Sequence, residues 1–317
     1  MKEIFDNSFV LKVIWKWKIH LLIVGAAAII LAAIFSSPFF ITPKFKSFGR
    51  LYPTNIETYS QESESEQMLE ILNSFDIKRR MVETFNLAER YDVKLDDPYY
   101  RTKILKKYDE YVDCKKTEYE SVEIAVLDID PQAASDMVDS IISFYNQKVY
   151  SVRSKKYHEL AETYKRDYEE KVAQVDSLNS KMEVLREDYG LLSYEIQSEQ
   201  TSMGYMTALA DGASKASIDE IKKVMKNLSD KGGEFFMMEK EMQGLLVMRD
   251  TLRKRYDKAL SSATRKASYS ALVEEPFPAD KKTYPVRWLI VLVSLVASEF
   301  LALVVVFFME KLEITNS

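Results

Sequence analysis

Two carboxylates one residue apart, Asp128-Ile129-Asp130, have the spacing of the DxD pair with which glycosyltransferases hold a metal. A second role fits the same residues. Asp130 can accept a hydrogen bond from the free N–H groups of a first helical turn, and Pro131 at the first helical position gives up an N–H that had no helical partner. A strand end followed by a helix cap accounts for both carboxylates and for the proline, so we read the pair as structural. Glu299 is a lone carboxylate inside an apolar run. An ionised carboxylate is costly in hydrocarbon, so it should meet a partner or be neutral. It either contacts a partner protein or a neighbouring subunit, or makes a neutral hydrogen bond that serves assembly alone. Ser294, Ser298 and Ala302 are spaced by four around it, and small residues on one face let helices approach closely.

The remaining reactive residues are sparse. There are two histidines, His20 and His158, and one cysteine, Cys114, so neither an internal disulfide nor a cysteine-rich zinc site is available. His158 lacks a partner in its neighbourhood and reads as a surface or seam residue. The 19 tyrosines, among them Tyr99, Tyr100, Tyr108 and Tyr111, offer stacking faces for sugars, but such tyrosines more often pack with the hydroxyl reaching water. No Gly-rich phosphate loop, HExxH or G-x-S-x-G occurs. No catalytic, cofactor-binding or metal-ligating residue is therefore expected, and no cofactor.

The elements that position these residues follow from composition and pattern. The 317 residues carry a net charge of −5, which argues against nucleic acid as a partner. Hydrophobic residues make up 47%, enough for a core, and a charged fraction of 29% is not that of a disordered chain. Glycine and proline number 8 each, well below their ordinary shares of about 7% and 5%. Few turn residues imply long elements, which implies helices.

Both ends read as membrane spans. Residues 19–41 are almost wholly apolar, and 288–309 form a second run of span length, since about 20 residues cross a ~30 Å hydrocarbon core. Trp15, Trp17 and Trp288 lie at the edges of these runs, where an indole keeps its N–H wet and its ring in lipid. Lys2, Lys12, Lys16 and Lys18 favour a cytoplasmic N-terminus, although Lys44, Lys46 and Arg50 follow the first run and Lys281, Lys282 and Arg287 precede the second. A cleaved signal peptide is disfavoured, because Ala32-Ala33-Ile34-Phe35-Ser36 is a poor small-x-small site. The expected plan is a cytoplasmic tail at 1–18, the first span at 19–41, a base over 42–150, a helical arm over 151–264, a returning strand with a proline-containing segment over 265–287, the second span at 288–309 and a cytoplasmic tail at 310–317.

Between the spans, Lys44–Pro53 alternates like a short strand, and 65–89 repeats Met68, Leu72, Phe75, Val82 and Phe85 at helical spacing. Residues 120–128 form the clearest strand, with Val122, Ile124 and Val126 on one face. From Ala133 to about Met203 the only glycine is Gly190, and apolar residues recur at near-heptad steps from Tyr168 to Ile196. Small residues over 204–217 mark a tip, and a second periodic stretch from Ile218 to Ala259 returns, with Gly232-Gly233 a candidate kink. About 50 residues per arm at 1.5 Å each predicts a hairpin of roughly 75 Å. Tyr269, Ala271 and Val273 alternate in a returning strand. The fold class is α+β, a membrane-proximal α/β base bearing a long antiparallel coiled-coil hairpin, flanked by two transmembrane helices.

The order of these parts resembles the polysaccharide co-polymerase family, the Wzz-type chain-length determinants. The matching stretches are the strand from Ser121 to Val126, the turn from Asp128 to Ala134 and, most specific, the segment from Pro276 through Pro278 and Pro285 to Arg287. The second span departs from the family's often glycine-rich form, since it has no glycine. The resemblance implies a non-enzymatic protein of the bacterial inner membrane, with its main domain periplasmic and both termini cytoplasmic. It would form a ring-like homo-oligomer and work with a membrane polysaccharide polymerase on a growing glycan, an O-antigen, capsule or exopolysaccharide. Only Glu310–Ser317 follow the second run, so the form without a cytoplasmic kinase is expected. Two other readings share the architecture, a coiled-coil adaptor of an export channel and a two-span sensory receptor. A receptor's output domain has no room in the last eight residues, and an adaptor usually has one span.

Overall fold

A computed structural model describes residues 7–316, with side chains for 10–310. Its elements run α1 (Asn7–Phe35), β1 (Phe45–Pro53), α2 (Glu64–Leu72), α3 (Phe75–Thr84), α4 (Leu87–Arg90), α5 (Tyr100–Tyr111), β2 (Val112–Lys116), β3 (Val122–Asp128), α6 (Pro131–Tyr189), α7 (Tyr194–Ala210), α8 (Lys215–Thr264), β4 (Ser270–Glu274) and α9 (Arg287–Asn316). Lys2, which bears on the charge bias, lies outside these residues. The contacts divide the chain into two units, one of the residues up to Lys148 with those from Ser268, the other Val149–Ala267.

In the first unit, alternation along β1 and β3 puts one set of side chains on a common face. Ser47 pairs with Val126, Gly49 with Ile124 and Leu51 with Val122, and all six are buried. The sheet is antiparallel throughout, in the order β2-β3-β1-β4. Strands from opposite ends of the chain thus share one ladder, with Leu51 beside Leu272 and Tyr52 beside Ala271. The start of α6 covers the inner face with Ala134, Met137, Val138, Ile141 and Tyr145, a stripe at helical spacing that is wholly buried. Gly49 keeps this packing close. A Cβ on it would meet Val138 Cγ1 and the Glu274 carbonyl, each at 3.3 Å. Asn146 ties α6 to β4, donating to Ser270 Oγ at 2.9 Å and accepting from the Tyr269 N–H at 2.8 Å.

The single helix expected over 65–89 is three. Its apolar period continues through the breaks, but the backbone does not. Asn73 caps α2, its side-chain amide donating to the Leu69 carbonyl at 3.0 Å, and Asn86 takes a left-handed conformation (φ 47°) before α4. Asparagine bonds readily to nearby backbone and tolerates that conformation, so it wins over helix continuation. Ile77, Met81, Leu87, Ile104 and Tyr108 from α3, α4 and α5 complete this core. On the outer sheet face Glu123 sits among Arg50 at 3.1 Å, Lys115 at 3.3 Å and Lys46 at 3.6 Å. Burial pushes its carboxyl up, but hydrogen bonds from Arg50 and Lys115 and the nearby lysine charges outweigh it and hold the group below the usual glutamate range.

The second unit is helical, and its arm is not the uninterrupted hairpin expected. α6 ends at Tyr189, because Gly190 adopts φ +66° and its N–H closes on the Arg186 carbonyl at 3.0 Å. One side chain then organises the break. Gln197 Oε1 accepts from the N–H groups of Leu192 (2.7 Å) and Ser193 (3.1 Å), and its Nε2 donates to the Gly190 carbonyl at 2.9 Å. Leu191 drops into an apolar layer with Leu178, Met182, Leu185, Leu228 and Phe235. The chain also steps backward here. Asn227 Nδ2 donates to the Tyr189 carbonyl at 3.0 Å, yet Tyr194 N donates to Glu239 at 3.4 Å and Glu195 pairs with Lys240 at 3.7 Å. α7 therefore begins roughly one to three turns back along α8, so that α6, α7 and α8 overlap in one three-helix layer.

α8 runs unbroken through Gly232 and Gly233. The first of these is a contact point rather than a kink, since the Tyr194 ring lies where its side chain would be. The tip is the turn between α7 and α8, with Gly212 at φ +70° and Ser214 Oγ accepting from the Ser217 N–H at 3.2 Å. Gly204 lies within α7.

Candidate functional site

The paired apolar helices and their junction with the sheet bring together most of the residues singled out above. Val10–Phe35 and Arg287–Glu310 are long and apolar enough to cross a membrane. They run antiparallel. Lys16 Nζ pairs with Glu310 at 2.9 Å, and Trp17 Nε1 donates to the same carboxylate at 3.2 Å. Toward the other end, Glu299 and Leu295 lie against Gly25, the Glu299 carboxyl filling the space a side chain at Gly25 would take. The seam on α1 is Val13, Leu21, Gly25 and Ala32, continued by Ser36 just past its end, all buried at steps of eight, four, seven and four.

Ser294, Ser298 and Ala302 are each half-buried. Ser298 Oγ donates to the Leu295 carbonyl of its own helix at 2.9 Å. Gly25 lets the helices meet closely beside Glu299. A single glycine in an apolar run was its only sequence signal, and the Lys16–Glu310 pair had none, because pairing depends on the register between two helices. Among the described residues no side chain hydrogen-bonds the Glu299 carboxylate, which is costly for a polar group within an apolar span.

The segment before α9 runs back along β1. Ser47 Oγ donates to the Phe277 carbonyl at 2.9 Å, Pro276 Cδ lies 3.5 Å from where a Gly49 Cβ would be, and Lys44 N donates to the Tyr284 carbonyl at 3.0 Å. Pro276 needs no ladder hydrogen and so suits this edge. Pro278 is exposed, Pro285 is buried, and Arg287 opens α9 with its side chain exposed. Lys44 Nζ sits 3.5 Å over the Tyr111 ring.

The Asp128–Asp130 pair is committed to the turn. Asp128 is buried, takes an ion pair from Arg90 and accepts from the Asp130 N–H at 2.9 Å, while Asp130 Oδ1 accepts from the Gln132 N–H at 2.9 Å. Tyr91 packs nearby, its hydroxyl buried and held well above the usual phenol range, first by burial and then by the Asp128 charge. Tyr108 is core, whereas Tyr99 is exposed. Cys114 is free, and burial pushes its thiol up to about 12, the opposite of an activated nucleophile. His158 Nδ1 lies 2.8 Å from the Ser154 carbonyl of its own helix. Among the described residues no three His, Cys, Asp or Glu side chains gather as metal ligands do.

No family model matches the sequence, and no curated protein matches it. Among solved structures the chain is similar to a full-length bacterial polysaccharide co-polymerase, at 12% identity over 98% of this chain and 100% of that one, with a TM-score of 0.48. It is also similar to a point-mutant form of the Shigella flexneri lipopolysaccharide O-antigen chain-length regulator, at 9% identity over 75% of this chain and 99% of that one, with a TM-score of 0.23. Both are of the class that the sequence resembles, and both likenesses are distant.

Proposed function

We propose that this chain is a non-enzymatic polysaccharide co-polymerase of the bacterial inner membrane, which regulates the chain length of a surface polysaccharide together with a separate membrane polymerase. The observation that carries this reading is the ladder between β1 and β4. It joins the strand that follows the first apolar helix to the strand that precedes the second, so both anchors belong to one folded base from which the helical arm is inserted. The antiparallel contact of α1 with α9, through Lys16–Glu310 and Gly25–Glu299, supports the same plan.

In this reading the base and arm are periplasmic, both tails cytoplasmic, and the chain assembles as a ring-like homo-oligomer around a growing glycan. Glu299 faces Gly25 without a polar partner among the described residues, which supports a role at a neighbouring subunit or at the polymerase, and Ser294, Ser298 and Ala302, at steps of four, share a face beside it. Asp130 and Pro131 start the helix that leads from base to arm, and the Pro276–Arg287 segment couples base to span.

Deleting the gene should randomise glycan length without abolishing sugar synthesis, read on a gel of surface polysaccharide from wild-type and deletion strains. An unchanged length distribution would refute the proposal. In the same assay Glu299→Gln should keep function if a neutral hydrogen bond suffices, whereas loss of length control at normal protein level would mean that the charge is needed.

A further inference from the structure

Above the Gly25–Glu299 contact the two apolar helices leave a groove of about 530 Å³ open at its side, lined by Ile29 and Ala33 of α1, by Ser36 just past its end and by Arg287, Trp288 and Leu295 of α9 among others. Its volume is that of an ordinary small-ligand site, for which roughly 300–1,000 Å³ is typical. The cause is local. Gly25 has no side chain, so α1 and α9 close on each other where Leu295 and Glu299 lie, and Leu295 marks the groove's inner end. Arg287 marks the mouth, on the side of the sheet.

From Arg287 to Leu295 is eight residues of helix, about 12 Å, close to the ~15 Å depth of one hydrocarbon leaflet. The walls are apolar over that depth. At the mouth stand a guanidinium that makes no hydrogen bond or ion pair among the described residues and an indole that is 69% exposed. Neither 10–43 nor 281–298 contains a single carboxylate, so the spans of a second copy bring nothing to neutralise Arg287 at this level. An apolar groove one leaflet deep, with a cation unpaired among the described residues and a tryptophan at its interfacial end, has the chemistry of a site for one phospholipid of net negative charge. The geometry points to such a site, with the phosphate on Arg287, which can hold it bidentately, and one acyl chain between Ala33 and Leu295. This rests on the two-span reading above.

The test uses the full chain with Trp15→Phe and Trp17→Phe, which leaves Trp288 as the sole tryptophan, reconstituted in phosphatidylcholine vesicles doped with brominated phosphatidylglycerol or brominated phosphatidylcholine. Flotation with the vesicles reports the two-span reading separately from the groove. The expected result is half-quenching of Trp288 at about fivefold lower mole fraction of the anionic lipid, the preference one interfacial cation confers. Arg287→Gln should abolish the preference. Ala33→Leu, which fills the groove and keeps the charge, should weaken quenching by both lipids. Lys281→Gln with Lys282→Gln should leave the preference in place, separating the groove from a generally basic surface.

Equal quenching by both lipids, a preference that survives Arg287→Gln, or quenching by both lipids that Ala33→Leu leaves untouched, would overturn the proposal. Displacement of the lipid by millimolar inorganic phosphate would assign Arg287 to a free anion instead. Protein that floats while Trp288 is shielded from both lipids would give the groove to a second copy. Failure to float would overturn the span reading and the site together.

Discussion

The sheet unit and the arm are stabilised in different ways. In the first, three short helices, the start of α6 and two strands contribute fully buried side chains, among them Leu51, Met68, Leu72, Ile77, Met81, Leu87, Ile124 and Met137. In the arm, α7 has no buried residue, and α8 buries only Leu228, Gly232, Phe235, Ala259 and Ala263 along 50 residues. The apolar contact of the distal arm is concentrated in the one layer where α6, α7 and α8 overlap. A core assembled from many elements opens as a whole, whereas helices joined at one layer can open there alone. The overlap at Gly190 thus supplies the apolar layer that joins α6 and α8 to the start of α7.

Phe235 and Leu51, each fully buried, break the two regions in turn. Phe235→Ala should cost about 3–5 kcal/mol and Leu51→Ala about 2–5 kcal/mol. In hydrogen exchange the first should strip protection from 178–240 and spare β1 and β3, and the second should do the reverse. Loss in both regions from either change would mean one cooperative unit.

A smaller effect is expected at Gly232. Gly232→Ala must displace the Tyr194 ring, at about 1–3 kcal/mol, with faster exchange over 190–200 and the rest of α8 unaffected. Gln197→Ala removes the bridge across the break and should cost about 1 kcal/mol, again confined to the arm.

The smallest effect is one of pH, in the sheet. Glu123 has a folded pKa below its unfolded value, so its contribution is present above the unfolded value near 4.5 and fades as pH falls through the depressed folded value. Glu123→Gln should flatten the acid limb of the base's unfolding curve and leave the arm's unchanged. A steeper acid limb in the variant would contradict this assignment.

The contrast extends to what the sequence disclosed. Strong alternation in β1 and β3 and the proline start of α6 are local signals, and they could be read from the chain. The breaks at Asn73 and Asn86 were hidden because apolar spacing runs on across them, and backbone chemistry decided the outcome. Gly190 was visible, but its effect depends on Leu191 finding the α6–α8 layer and on Gln197 bridging the gap. β2 carries Asp113, Lys115 and Lys116 in five residues, and its strand character comes from the neighbour β3. At the spans, Glu299 stood out as a lone carboxylate, whereas Gly25 and the Lys16–Glu310 pair acquire meaning only once the register of two helices is fixed.

The proposed topology has two membrane anchors with base and arm on one face, and thiol accessibility tests it most directly. In a Cys114→Ser background, Asp211→Cys at the arm's turn should react with a membrane-impermeant maleimide in intact spheroplasts, and Ser8→Cys should react only after permeabilisation. An unreactive Asp211→Cys in intact spheroplasts, labelled only once they are opened, would contradict the account.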